Sequence, residues 1–132
     1  MQIVKLTDTV GVSGQISPAD LPALAEAGYR VIINNRPDGE ALDQPSSAEF
    51  AAAAEAAGLE YHYYPLNAFN YPGDDLAAMA RLFDDGERPV FAFCRSGTRS
   101  TNLWISSRAA GEQDAARERA RGLGFDVSMS GR

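Results

Sequence analysis

One cysteine occurs in the chain, Cys94, and it stands where an apolar run meets a turn rich in serine, glycine and arginine: Val90-Phe91-Ala92-Phe93-Cys94-Arg95-Ser96-Gly97-Thr98-Arg99-Ser100. A short turn between a strand and a helix can aim successive backbone N–H groups at one point, and the helix N-terminus adds roughly half a positive charge there. Such a cradle binds an anion. It also stabilises a thiolate, lowering a cysteine pKa from about 8.5 toward roughly 3.5–7.5. Gly97 lets the turn close. Cys94 is therefore the candidate nucleophile, and Arg99 with the loop N–H groups holds the negative charge that develops on it. Arg95 attracts an anionic substrate or donor, and Ser96, Thr98 and Ser100 serve as loop donors or helix caps. The competing reading of a free cysteine is a small core hydrophobe ending a buried strand. That reading leaves the two arginines, the hydroxyls and the glycine without a purpose, whereas an anion site uses them all.

The loop Cys94-Arg95-Ser96-Gly97-Thr98-Arg99-Ser100 resembles the active-site loop of rhodanese-type sulfurtransferases. More broadly it resembles the cysteine-dependent phosphatases, whose signature is Cys, five residues, then Arg followed by Ser or Thr. The wider chain, from Gly14 through Asn34-Asn35-Arg36-Pro37-Asp38-Gly39-Glu40 and the cysteine loop to Trp104, is similar to the beta-lactamase-hydrolase-like, phosphatase-like domain family. That resemblance implies a dual-specificity-phosphatase-like α/β fold. It implies either phosphatase or sulfurtransferase activity and, in some bacteria, fusion to a persulfide dioxygenase. It also implies proximity of Arg36 and Asp38 to Cys94, either lining the pocket or pinning the cysteine loop, although the same residues are ordinary turn chemistry.

Two observations bear on the choice between phosphorus and sulfur. Four residues separate Cys94 from Arg99, one fewer than in the phosphatase signature. A transferring phosphoryl group needs donors around three equatorial oxygens. A loop shorter by one residue offers one N–H fewer and suits the single outer sulfur of a persulfide. The second observation concerns the acid that protonates an alkoxide leaving group. In the phosphatases resembled here an Asp follows an upstream strand and Pro-Leu/Val turn; Asn67 stands in the matching stretch Tyr64-Pro65-Leu66-Asn67, and an amide is no acid. Asp74 and Asp75 read as helix-start residues. The leading expectation is thus a sulfurtransferase working through a Cys94 persulfide, between a small-molecule sulfur donor and a thiol, sulfite or cyanide acceptor. A cysteine-dependent phosphatase acting on phosphomonoesters is the alternative, and a non-catalytic anion- or persulfide-binding module is the third class. His62 reads as a strand residue and Trp104 as core.

The elements that must position this loop are legible from a recurring pattern: an Ala-rich helix, a glycine, then a β-rich run, in Ala25–Asn35, Ala54–Tyr64 and Ala120–Ser128. Glycine takes the left-handed position after a helix cheaply, and the β-branched and aromatic residues that follow favour a strand. Ser17-Pro18-Ala19-Asp20 and Ser46-Ser47-Ala48-Glu49 fit capping boxes, with Asp20 as an alternative cap because Pro22 lies late for a helix from Pro18. Leu76, Met79, Leu82 and Phe83 share one helical face before Gly86. A helix opens at or near Arg99 and Ser100, and Glu112–Gly124 reads as a charged surface helix. Together these predict one α/β domain over residues 1–132, with a mostly parallel central sheet flanked by helices. In such a sheet Cys94, just after Phe93, faces the functional edge.

Composition narrows the partners. The 18 acidic and 12 basic residues give a net charge of −6, which disfavours nucleic acid and anionic membranes. One histidine and one cysteine are too few soft ligands for a zinc site, so neither a metal nor an organic cofactor is expected. No signal-like segment or run of roughly 18 apolar residues occurs, and the expected location is the cytoplasm.

Overall fold

A computed structural model describes residues 1–131. The sheet has five strands: β1 (Val4–Thr7), β2 (Val10–Ser13), β3 (Val31–Asn34), β4 (Glu60–Tyr63) and β5 (Val90–Phe93). Their order across the sheet is β1-β2-β5-β3-β4. Only β1 runs antiparallel, as a hairpin with β2; the other pairings are parallel. This hairpin has no counterpart in the helix-glycine-strand pattern.

β5 is buried at all four positions, as is β3. Alternate residues of each reach opposite faces because the side-chain period of a strand is two. Val31, Ile33, Val90 and Ala92 join one apolar cluster with Met79, Phe83, Leu103 and Ala120. Ile32, Phe91 and Phe93 join the other, with Leu21, Leu24, Phe50 and Ala54. Helices α3 (Leu76–Asp84), α4 (Thr98–Ser106) and α5 (Gln113–Gly122) therefore cover one face, and α1 (Leu21–Glu26) and α2 (Ser47–Ala56) the other. Phe91 and Phe93 are fully buried, each contributing about 1.5–3 kcal/mol relative to an exposed ring. None of these helices is long and apolar enough to cross a membrane.

Ser46 caps α2 in a capping box with Glu49. The Ser17 box forms too, but it caps a single 3-10 turn over Pro18–Asp20, and α1 proper begins at Leu21 with Pro22 in its first turn. Asp20 bonds back to the Ser17 N–H rather than capping α1.

The strand expected after Gly124 does not form. The chain there runs irregularly into a 3-10 turn at Ser128–Gly131, against α4. Asn102 on α4 decides this: its Nδ2 donates to the Asp126 carbonyl at 2.8 Å, and its Oδ1 accepts from the Ser130 N–H at 3.0 Å. These backbone groups bond to a buried amide rather than to a neighbouring strand, so Phe125-Asp126-Val127 joins no ladder despite its β-propensity.

Candidate active site

Cys94 is the first residue after β5, and its position follows from the register of the sheet. Ser13, Phe93 and Asn34 are aligned partners at the ends of β2, β5 and β3. The next residues, Gly14, Cys94 and Asn35, leave the sheet side by side at its carboxyl edge. The cysteine loop is then pressed between its neighbours. The Gln15 N–H donates to the Arg95 carbonyl at 3.2 Å, and a Cβ built on Gly14 would stand 2.9 Å from that same oxygen, so only glycine fits there. Gly97 has φ +87°, the left-handed conformation that side chains disfavour. This turn directs the Gly97 N–H to the Cys94 sulfur at 3.1 Å and starts α4 at Thr98, one residue before the expected opening.

The thiol is fully buried. Its loop neighbours Ser96, Thr98 and Arg99 line an open recess together with Glu40, Asn67 and Asp126, and Cys94 itself is not among the lining residues. The Ser96 hydroxyl donates to the Thr98 hydroxyl at 3.1 Å. Arg99 donates from Nη1 to Glu40 Oε2 at 2.7 Å and to the Leu66 carbonyl at 2.9 Å, and from Nη2 to Glu40 Oε1 at 2.9 Å. Its pKa is raised, chiefly by the hydrogen bond to Glu40 and further by the charge and hydrogen bonding of Cys94, so the guanidinium stays charged beside the sulfur.

The remaining expected residues divide in two. Arg36 belongs to the site at one remove: it is buried, donates from Nε to Glu40 Oε1 at 3.0 Å and from Nη1 to Gln15 Oε1 at 2.9 Å. Ser100 lies behind the loop, its hydroxyl donating to Asn35 Oδ1 at 2.8 Å. Asp38 faces α2 instead, accepting from the Ser47 N–H at 2.8 Å. Arg95 is exposed, and its side chain has no hydrogen bond or ion pair among the described residues. Asp75 caps α3 by accepting from Ala78, while Asp74 lines a different recess beside Tyr64 and Gly73. Asn67 does reach the recess, yet its Oδ1 is taken by the N–H groups of Phe69 and Asn70. His62 pairs with Glu60 on β4, and Trp104 is in the core as expected.

Glu40 and Asp126 are the site residues that sequence reasoning missed. Glu40 ends the segment already singled out around Arg36, so its neighbourhood was visible and its partner was not. The Arg99 and Arg36 guanidiniums, Arg99 foremost, hold the Glu40 carboxyl below the usual range. Asp126 is also lowered, by hydrogen bonds from Ser128. A carboxyl with a depressed folded pKa contributes stability that is complete above its ordinary value of 4.5 and is lost as pH falls through the folded value. Glu40→Gln is therefore expected to lower the melting temperature at pH 7 and to converge on the wild type as the pH falls below the ordinary carboxylate range. Melts from about pH 7 down to about pH 3 check this; a gap that widens on acidification contradicts it.

Comparison with known proteins shows the family and the fold. The family described as beta-lactamase hydrolase-like protein, phosphatase-like domain, matches residues 2–111. A beta-lactamase hydrolase-like protein of Agrobacterium fabrum is 36% identical over 83% of the chain, and the chain spans only 25% of that relative's length. The crystal structure of a candidate phosphatase from Neisseria meningitidis superposes with a TM-score of 0.79 at 35% identity, covering 96% of this chain and 92% of that one. Tk-PTP in its active form shares the fold at 19% identity, with a TM-score of 0.71 over 98% of this chain and 97% of that one. The fold is thus that of the cysteine phosphatases, as the resemblance implied. These similarities back the phosphatase alternative better than the sulfur transfer that the loop spacing favoured.

Proposed function

Because the chain belongs to the phosphatase-like domain family of beta-lactamase hydrolase-like proteins, we propose that it is a cysteine-dependent phosphatase of phosphomonoesters, with Cys94 as nucleophile. The observation that carries this reading is the Gly97 N–H at 3.1 Å from the Cys94 sulfur, at the start of α4 and beside the charged Arg99. The Cys94 thiolate attacks phosphorus, an S–P bond forms and the ester P–O bond breaks. Water then attacks phosphorus, the S–P bond breaks, and inorganic phosphate and the thiolate are returned. Arg99 and the loop N–H groups hold the phosphoryl oxygens through both steps.

The recess sets a condition on the leaving group. Its two carboxylates, Glu40 and Asp126, are both held below the usual range and are ionised at neutral pH, and Asn67 has no acidic proton. A leaving oxygen must then depart without a proton from these groups, which an aryl oxide does far more readily than an alkoxide. Para-nitrophenyl phosphate is expected to exceed glycerol phosphate in kcat/KM by roughly 10²–10⁴-fold, the range a general acid supplies. Equal rates on the two esters would contradict the absence of an acid.

A second reading, sulfur transfer, is favoured by the four-residue spacing between Cys94 and Arg99. Here the thiolate attacks the outer sulfur of thiosulfate, sulfite leaves, and cyanide removes the sulfur of the resulting persulfide as thiocyanate. The partner of such a step is a persulfide dioxygenase that consumes the transferred sulfur. One experiment separates the readings: nitrophenol release from para-nitrophenyl phosphate beside thiocyanate release from thiosulfate and cyanide, with intact mass of the trapped protein. Nitrophenol release with a Cys94 adduct of about 80 Da supports the phosphatase. No phosphatase turnover between about pH 5 and 8, with a cyanide-labile adduct of about 32 Da, replaces it by the sulfurtransferase.

A further inference from the structure

We propose that Glu40 is the positioning residue that decides which edge of the Arg99 guanidinium is offered to a bound oxyanion; this role rests on the reading of Arg99 as the anion-binding cation. A guanidinium has five N–H donors in a fixed plane. Both Nη1 donors of Arg99 are used, on Glu40 Oε2 and the Leu66 carbonyl, and one Nη2 donor is used on Glu40 Oε1. The edge between Nη1 and Nη2 is therefore filled by the carboxylate. The Nε–H and the second Nη2–H lie along the other edge of the same plane, and they match two oxygens of one tetrahedral oxyanion. Glu40 occupies the edge such an anion does not need, so it orients the cation without taking its place.

Glu40 is itself held. Arg36, only 7% exposed, donates to Oε1 at 3.0 Å and to Gln15 Oε1 at 2.9 Å. The Gln15 N–H in turn donates to the Arg95 carbonyl of the cysteine loop at 3.2 Å. The connection Gln15–Arg36–Glu40–Arg99 thus leaves the loop at Arg95 and rejoins it at Arg99, fixing the cation relative to the sulfur. Two guanidiniums face one carboxylate, so the Arg36–Glu40–Arg99 group carries one positive charge in excess, facing a recess that also holds the Asp126 carboxylate. The ligand is a terminal tetrahedral oxyanion, the chemistry shared by a phosphomonoester and thiosulfate.

The test is binding without turnover. Inorganic phosphate, and separately thiosulfate, is titrated into the wild type, Glu40→Gln, Glu40→Asp, Arg99→Ala and the double variant Glu40→Gln/Arg99→Ala. The Gly97 amide signal reports occupancy, and circular dichroism confirms that each variant is folded. Glu40→Gln is expected to weaken anion binding roughly tenfold, and this loss is expected to vanish in the Arg99→Ala background because the residue acts through Arg99. Glu40→Asp keeps the charge but shortens the reach, so it too is expected to bind weakly. It keeps the proposal testable should Glu40→Gln not fold. Tighter binding by Glu40→Gln would make the carboxylate a competitor and overturn the proposal. An equal loss with Arg99→Ala, or affinity indifferent to Glu40, overturns it as well while leaving the anion site standing. A wild-type Gly97 signal unmoved by either anion overturns the anion site itself, and the role of Glu40 with it.

Discussion

Cys94→Ser is expected to remove activity altogether, a fall of at least about 10⁴-fold in kcat, because a serine hydroxyl in the same cradle is not ionised as a thiol can be. The replacement is close in size, and the site can hold it: Cys94 is fully buried, and the Gly97 N–H that now meets sulfur can donate to a hydroxyl oxygen. The variant should therefore fold, with its melting temperature within a few degrees of the wild type, so that lost activity reports on chemistry alone. Steady-state assay of both para-nitrophenyl phosphate hydrolysis and thiocyanate formation checks the result. Retained turnover of either kind would remove Cys94 from the mechanism, and a variant that still binds anions but transfers nothing is the expected outcome.

Arg99→Ala is the second large effect, expected to lower kcat/KM by roughly 10²–10³-fold, the scale of losing a donor aimed at developing charge. Two consequences of the geometry add to one another. The cation beside the sulfur disappears, and Glu40, left with Arg36 alone, no longer belongs to a group whose one excess positive charge offsets the Asp126 carboxylate in the recess. Arg99 is also the leading cause of the low Glu40 pKa, so the carboxyl should titrate closer to its ordinary value in the variant. Following the Glu40 carboxyl by NMR against pH therefore gives a readout independent of catalysis. Arg99→Lys keeps the charge but cannot donate a planar fork to the carboxylate and an anion together. It is expected to recover only part of the loss, and full recovery would show that charge alone, not the fork, is what the site uses.

How much of this was legible beforehand follows the range over which each feature acts. The loop from Cys94 to Ser100 is contiguous, and its elements are local: an apolar β-branched and aromatic run, a glycine at φ +87°, and a helix opening immediately after. The alternation of Ala-rich helices and β-rich runs likewise determined the class of fold, because helix and strand periods are written into short windows. Where local preference met tertiary competition, as at Phe125-Asp126-Val127, the buried Asn102 amide won. The carboxylate on Arg99 lies 59 residues away in the chain, and the carbonyl beside it 33. Parallel strands are joined by crossovers, so segments that meet at the carboxyl edge of the sheet are remote in sequence, and no local period encodes their pairing. The sequence by itself determined the candidate nucleophile, its turn and the kind of sheet that presents it. Which edge of the arginine Glu40 takes, and which acids share the recess, was decided only when β2, β3 and β5 came side by side.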